Sequence, residues 1–577
     1  MRDYFRATHI VVGGGSAGCV IAARLSERAD FRVLLIEAGI DLPEEATPPD
    51  ILARYGGRAL GNPAYFWPAL KARRGSDASI PTNANEYAFY HQARVLGGGS
   101  SINAQIALRG MPSDYARWER DGVSGWAWED VLPYFRMVET DLDFNNELHG
   151  NNGPIPIKRV PKGDWDIFTK AVTHVWSRQG HRYLEDMNGE FRDGFASAPF
   201  SNDGQTRWSS ARGYLTPNVR RRPNLRIVTD SEVHRIRFAG KRAIGVEGVR
   251  HGEFFSYDAD YIVLTAGALH TPKLLLLSGV GPATESRAMG IPIVAARDGV
   301  GRNLQDHPCI YVSAYLPQST RNSSHYRGPA TYLRYSSQID DCPDSDMVMI
   351  ASGRSGWHAL GNQLGTIVPF IGIPFSRGRV KLASPDPQAS PDVCFNYLDD
   401  GRDRIRMVDG FLRAAEVLLA PEVARISDSI FPTRYSKRVA KLARPTRFNA
   451  ALAKLAASLL DLNKPIRSFI INNIVTEAPM LAKLLEDRDA LIDYVCRSVS
   501  TVWHPSGTCR MGQPDDPLAV TTSSGEVIGV DNLYVADASA MPNVTSTNTN
   551  LPTMMLAERI AHVLLRSGIK QGQPSVT

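Results

Sequence analysis

The sequence predicts an α/β chain with more than one hydrophobic core. Three observations carry that reading: an N-terminal strand–turn–helix–strand unit, a length of 577 residues, and an ordinary globular composition. The unit opens on His9-Ile10-Val11-Val12, an apolar run short enough for a buried strand. Gly13-Gly14-Gly15-Ser16-Ala17-Gly18 follows, then a helical stretch, Cys19 to Glu27, then a second strand, Arg32 to Ile36, ending at Glu37. A chain this long usually exceeds one core, so two domains or more are expected. Hydrophobic residues at 43% and charged residues at 22% exclude disorder, collagen-like repeats and coiled coil as the main architecture. No run of about 18 apolar residues occurs, so no transmembrane helix is expected. The strand-like run ending at Val12 starts so early in the sequence that no signal peptide is expected ahead of it.

Each residue of the first turn has a physical task. Gly13 permits the tight turn, Gly15 lets backbone approach a pyrophosphate, and Gly18 lets helix pack close to strand. Ser16 opens the helix, whose N-terminus offers free N–H groups and a positive dipole end to phosphates. Glu37 is placed to accept hydrogen bonds from ribose hydroxyls, and its charge disfavours a 2′-phosphate, hence NADP. The unit predicts a Rossmann-like dinucleotide site and does not separate NAD from FAD.

Net charge is +5, too small over the whole chain to argue for nucleic acid. The basicity is local: residues 431–470 hold nine Lys/Arg and one acid, a net of +8 that leaves the rest of the chain at −3. Within that segment Ala450 to Leu460 reads as a helix, apolar-rich and flanked by cations, fit to be a solvated insertion, a membrane-surface contact or a dock for a redox partner. The six cysteines form no CxxC and have irregular spacings, so neither a metal site nor a disulfide framework is expected. A reduced, cytoplasmic setting fits them, with the inner face of the membrane as an alternative placement through 431–470.

Further strings stand along the chain. Ala93-Arg94-Val95-Leu96-Gly97-Gly98-Gly99-Ser100-Ser101-Ile102-Asn103 offers backbone N–H groups with few side chains in the way. Gly267 to Gly281 follows a buried strand, Tyr261 to Thr265, and reads as turn, apolar helix and glycine stop. Val300-Gly301-Arg302-Asn303-Leu304-Gln305-Asp306-His307-Pro308 comes next. Near the C-terminus stand Trp503-His504-Pro505-Ser506-Gly507, a strand from Leu533 to Ala536 ending at Asp537, and Asn548-Thr549-Asn550-Leu551-Pro552-Thr553 opening a helix through Leu565. Together these strings resemble the glucose–methanol–choline (GMC) family of FAD-dependent oxidoreductases over nearly the whole chain.

The resemblance implies one FAD, with Gly13, Gly15, Ser16, Gly18 and Glu37 holding the ADP half. It places Arg94, Gly98, Gly99, Ser100 and Asn103 near pyrophosphate and flavin, Val233 at adenine through its backbone, and Ala266 after the buried strand. Asp537 and Ala538 match the segment near the ribityl chain. Asn550, Pro552 and Thr553 open a helix whose N-terminus is expected to face the flavin pyrimidine ring, where reduced flavin carries negative charge. Pro552 suits a first turn, because its missing N–H is not needed there. Some members attach FAD through a histidine in the glycine–serine string; Ile102 stands at that position, so non-covalent FAD is expected.

The resemblance also implies a catalytic pair, His504 and Asn548. Alcohol oxidation removes a hydroxyl proton and moves a hydride to flavin. A neutral imidazole can take the proton, and an amide can hold the substrate oxygen. His307 and His270 are read as structural. Members that oxidise choline place a glutamate near 309–339, where this chain has no Asp or Glu; Tyr311, Tyr315, Tyr326 and Tyr332 there fit an apolar or aryl alcohol. The expected acceptor is O₂, a quinone or a cytochrome, with a dehydrogenase favoured slightly over an oxidase. Alternatives are another flavin reaction on this fold, as a lyase or fatty-acid photodecarboxylase, or a non-catalytic membrane- or partner-binding protein.

The expected architecture is α/β, with an α+β substrate domain. A Rossmann-like FAD-binding domain is drawn from about 1–160, 209–315 and 495–577. A discontinuous substrate domain, an antiparallel sheet backed by helices, comes from about 161–208 and 316–494. Arg377 to Leu382 and Val393 to Leu398 are expected strands of that sheet.

Overall fold

The computed structural model describes residues 6–75, 87–321 and 329–567. The N-terminal unit forms as Ala7–Val12, the helix Ser16–Leu25 and the strand Val33–Ile36. Ala7–Val12 lies between Val33–Ile36 and Glu253–Leu264, parallel to both. Leu225–Val228 and Leu533–Val535 continue the parallel pairing on either side. Val33–Ile36 is buried at every position, which is why it reads as an unbroken apolar run rather than an alternating one.

Glu253–Leu264 does two jobs. Its last residues enter the parallel sheet, while its first half pairs antiparallel with Arg242–Arg250, which in turn pairs with Ser231–Ala239. The expected strand from Tyr261 is therefore the buried end of a longer one; the exposed end, with Phe254 open to solvent, carries no apolar run. The helix Asn550–Ser567 packs against Ser16–Leu25 and brings the two N-termini together, where Ser16 Oγ donates to Asn550 Oδ1 at 3.0 Å.

The second sheet is antiparallel. Its order is Asp428–Pro432, Val312–Tyr315, Leu364–Ile371, Met347–Ser352, Pro329–Tyr335 and Gly194–Ser197. The helix Gly401–Leu419 backs it, burying Met407, Phe411, Ala414 and Leu418 at helical spacing. Each sheet has its own large hydrophobic cluster. Those clusters support the two-domain division as our proposal, with one change. Val312–Tyr315, expected in the nucleotide domain, is a strand of the antiparallel sheet, so we move that boundary toward 303.

The expectation for 377–398 needs correction. Strands do form, at Arg379–Lys381 and Asp392–Cys394, but outside that sheet. Asp392–Cys394 pairs instead with Lys71–Arg73, which pairs with Ala88–Phe89. Three-residue strands with partners some 300 positions away leave no local pattern to read. Among the described residues no helix is long and apolar enough to cross a membrane.

A buried charge network gathers around the paired strands Glu139–Asp141 and Ile155–Arg159. His149 sits between Asp141, Glu139 and Asp186 at 2.8–3.0 Å. Arg109 bonds Glu139, and Arg159 bonds Asp141 and Asp186. With His149 protonated, three cations meet three carboxylates. Burial opposes that proton, but the carboxylates of Asp141, Asp186 and Glu139 outweigh it and push the imidazole up to about 10. The stabilisation is therefore complete below the ordinary value of 6.5 and lost as pH rises towards 10. His149→Gln is expected to lower stability at neutral pH by about 3–5 kcal/mol. In urea titrations the gap between variant and wild type should close toward pH 10; a gap that stays constant with pH would contradict a protonated His149.

Candidate active site

A cavity of about 510 Å³ is lined from both sheets. The N-terminal turn reaches it first. Gly13 has φ +101°, and a Cβ there would meet Thr265 O at 2.7 Å. A Cβ on Gly18 would stand 1.9 Å from Gly13 O, so the close packing of helix on turn admits glycine alone. The 93–103 string lies against this turn: Gly97 N donates to Gly14 O at 2.7 Å, and Gly98, at φ +54°, leaves no room for a Cβ beside Gly15. Gly99 is different, since a Cβ there would meet nothing within 4 Å and would project into open space.

Most of the expected site residues line this cavity: Gly13, Gly15, Ser16, Glu37, Gly98, Gly99, Asn103, Val233, Ala266, Asp537, Ala538, Asn550, Thr553, His504 and Asn548. Four do not. Gly18 acts behind the turn, as above. Arg94 lies over the Trp67 ring at 5.1 Å while its neighbours Ala93 and Val95 face the cavity. Ser100 turns inward, its Oγ donating to Gly97 O and accepting from Ser210 N. Pro552 is buried in the first turn of Asn550–Ser567.

The acids are largely committed to the protein. Glu37 accepts from Gly14 N and Gly39 N, each at 2.7 Å, and burial pushes its carboxyl up to about 7 despite those donors. Asp537 accepts from Gly267 N, Thr271 Oγ1 and Ser539 N, which ties its strand end to the start of the helix Gly267–Leu277. Asn103 Oδ1 accepts from Gln105 N and Arg207.

At the second group of lining residues two imidazoles meet. His504 Nδ1 and His307 Nδ1 are 2.8 Å apart, and Asn548 Nδ2 lies 3.1 Å from His504 Nε2. With the amide donating to Nε2, that atom keeps its lone pair and the ring proton sits on Nδ1, directed at His307. Both rings are buried. Desolvation, then the neighbouring His307, holds His504 well below the ordinary imidazole range; burial likewise brings His307 down to about 3. Asp306 Oδ1 accepts both backbone N–H groups, of His307 and of His504, at 2.8 Å. Asn548 Oδ1 is buried with no partner among the described residues.

Several residues escaped the sequence reading. His307, expected to be structural, hydrogen-bonds His504; His270, also read so, lines the cavity and stacks on Trp67 at 4.3 Å. The adjacency of Asp306 and His307 was the available signal. Of the four tyrosines, Tyr311 lines the cavity, whereas Tyr315 and Tyr332 are buried in core clusters away from it, and Tyr326 lies outside the described residues. Tyr435, Trp503, Ile350 and Val368 supply the remaining apolar wall.

Comparison with known proteins identifies the family and the fold. Family models described as GMC oxidoreductase match residues 7–309 and 374–557. The chain is 40% identical to 5-(hydroxymethyl)furfural oxidase of Methylovorus sp. (strain MP688), over 96% of this chain and 98% of that one. It is 32% identical to mitochondrial choline dehydrogenase of Mus musculus, over 96% and 89%. The fold superposes on crystalline pyridoxine 4-oxidase from Mesorbium loti with a TM-score of 0.79, at 28% identity, covering 97% of this chain and 99% of that one.

The glycine packing has a direct test. Gly18→Ala is expected to yield protein that lacks the yellow of a bound flavin after reconstitution, because its Cβ would overlap Gly13 O. A variant with wild-type flavin absorbance would show that the turn can yield.

Proposed function

The chain belongs to the GMC oxidoreductase family, and we propose that within this family of FAD-dependent alcohol oxidoreductases it converts a small primary alcohol, apolar or aryl in character, to the aldehyde. The single observation that carries the reading is the His504–Asn548 contact on the wall of a cavity whose other wall is the glycine cradle.

The residues present fit FAD. The empty space beside Gly99 is what a flat ring or a phosphate needs, and two helix N-termini, at Ser16 and Asn550, present their positive ends to the cavity. Gly13, Gly15, Ser16 and Glu37 would hold the ADP half, with Val233 beside Glu37 through the bond Ser231 N to Glu37 O. When bound, FAD supplies the acceptor for the hydride and its two electrons. Ile102 lines the cavity with apolar carbon only, so nothing at that position can bond the flavin covalently. Acid precipitation should therefore leave the flavin in the supernatant; colour held in the pellet would refute non-covalent binding.

His504 Nε2 is the base in this reading, and Asn548 orients the substrate hydroxyl through its unpartnered Oδ1. An imidazole held so far below its usual range is a poor acceptor for a proton from an ordinary hydroxyl. It takes that proton as the C–H bond breaks and the oxygen becomes a carbonyl. His307 supports the transfer by fixing the ring so that Nε2 carries the lone pair.

An apolar or aryl substrate is supported by the wall of Tyr311, Tyr435, Trp503, Ile350 and Val368. A quaternary ammonium group is held by aromatic faces and is helped by a carboxylate beside them. The cavity's carboxylates are Glu37, Glu232 and Asp537, all among the nucleotide-binding elements, while Arg354 puts a cation beside Tyr55. The relative that oxidises 5-(hydroxymethyl)furfural extends the expected class to furanic alcohols. Dioxygen or a quinone is the proposed acceptor.

Anaerobic mixing with furanic and benzyl alcohols is expected to bleach the flavin, and choline to do so far more slowly. Reduction should keep its plateau as pH falls through 6.5, because His504 remains neutral there. His504→Ala should lower the reduction rate roughly 10²–10⁴-fold with FAD retained. No bleaching by any alcohol, or wild-type reduction in the variant, would overturn the assignment.

A further inference from the structure

The segment around 431–470 buries a small hydrophobic cluster, Phe431, Val439, Leu442 and Leu460, yet leaves a second apolar face outside. The helix Arg447–Leu460 buries Ala453, Ala457 and Leu460 but turns four other large apolar side chains outward, among them Phe448, 75% exposed, and Leu455, 60% exposed. Leu452 and Leu459 complete one stripe at spacings of four, three and four residues, and Leu462 follows just beyond the helix. The helix Lys464–Ile470 does the same, burying Arg467 against Leu460 O and Asp428 while Phe469 stands 64% exposed. Together the two helices leave a row of leucine and phenylalanine side chains open to solvent, an apolar stripe larger than scattered surface leucines.

Cations border the stripe. Lys441, Arg444, Arg447, Lys454 and Lys464 are exposed, while the segment's one acid, Asp461, is taken up by Arg321 and Tyr315. We propose that this face docks on an anionic lipid surface, with the stripe seated at the headgroup–acyl boundary and the cations among the headgroups. Charge decides between occupants. A second copy applied to the same face would set one +8 segment against another, whereas an anionic bilayer meets both the leucines and the lysines. The segment adjoins the cavity: Ala443 O accepts from Trp357 Nε1 at 2.6 Å and lies against Gly61, next to the lining residues Leu60 and Arg354. Docking there would bring membrane-dissolved alcohols or quinones close to the residues that line the site.

The test is flotation of the full-length holoenzyme with phosphatidylcholine vesicles, with and without phosphatidylglycerol. The enzyme is expected to float with the anionic vesicles, less at high salt, and to stay behind with the neutral ones. Leu455→Ser/Phe469→Ser and Lys454→Glu/Lys464→Glu should each lower the floated fraction about tenfold or more, with turnover of a water-soluble alcohol unchanged. Absence of the wild type from the anionic fraction, or flotation of either variant equal to that of the wild type, overturns the proposal. So does a lipid-free dimer, seen by sedimentation, that Leu455→Ser/Phe469→Ser disperses, since the stripe would then belong to a second copy.

Discussion

One buried carboxylate fixes the end of the cavity where His307, His504 and Asn548 meet. Asp306 accepts from the backbone of His307 and of His504, from Tyr397 at 2.6 Å, and from Thr501. Burial pushes its carboxyl up to about 6, and these four donors limit the rise. The geometry comes from a short antiparallel pairing, Pro308 opposite Thr501 and Cys309 opposite Ser500, which sets two sequence-distant strings side by side. Trp503 takes φ +62°, a conformation that a bulky residue adopts only when its surroundings demand it. The next residue, His504, is then held by its backbone N–H on Asp306 and by its ring on His307 and Asn548.

On the nucleotide side the same end is reached by sterics and dipoles. The helices Ser16–Leu25 and Asn550–Ser567 pack along each other, so their positive ends emerge at one place, pinned by the Ser16–Asn550 hydrogen bond. That convergence requires the absence of side chains at Gly13, Gly18 and Gly98, because the turn, the helix and the second glycine string touch through backbone. An anion-seeking surface with no bulk in front of it follows from these two facts together.

This explains which parts were legible. The nucleotide side is written in contiguous strings, since each glycine acts on neighbours a few positions away; Gly13, Gly15 and Gly18 could be given roles one by one. The substrate side is assembled from distant pairs. Nothing local tells that Asp392–Cys394 will pair with Lys71–Arg73, or that His307 will face His504. The resemblance supplied His504 and Asn548, but not the carboxylate that holds one of them or the ring that fixes its tautomer. Arg94 and Ser100 are expected at the cofactor on the strength of their string, yet a string that lines a cavity shows only some of its side chains to it.

The tyrosines show how the wall of the site is divided. Tyr315 and Ser313 share one face of the antiparallel sheet, opposite Leu364 and Thr366 on the next strand. Thr366 lines the cavity, whereas Tyr315 is covered by Asp461 and by Arg467, whose guanidinium lies 3.9 Å from its ring centre. The basic insertion therefore closes one end of that sheet face and leaves the other end open as cavity. Tyr435, at the start of the insertion, belongs to both, lining the cavity and packing on the cluster of Tyr315, Leu364, Phe431 and Leu460. The segment whose outer stripe faces away from the protein thus gives the cavity one wall residue, Tyr435, which stands between the cavity and the cluster that its helices cover.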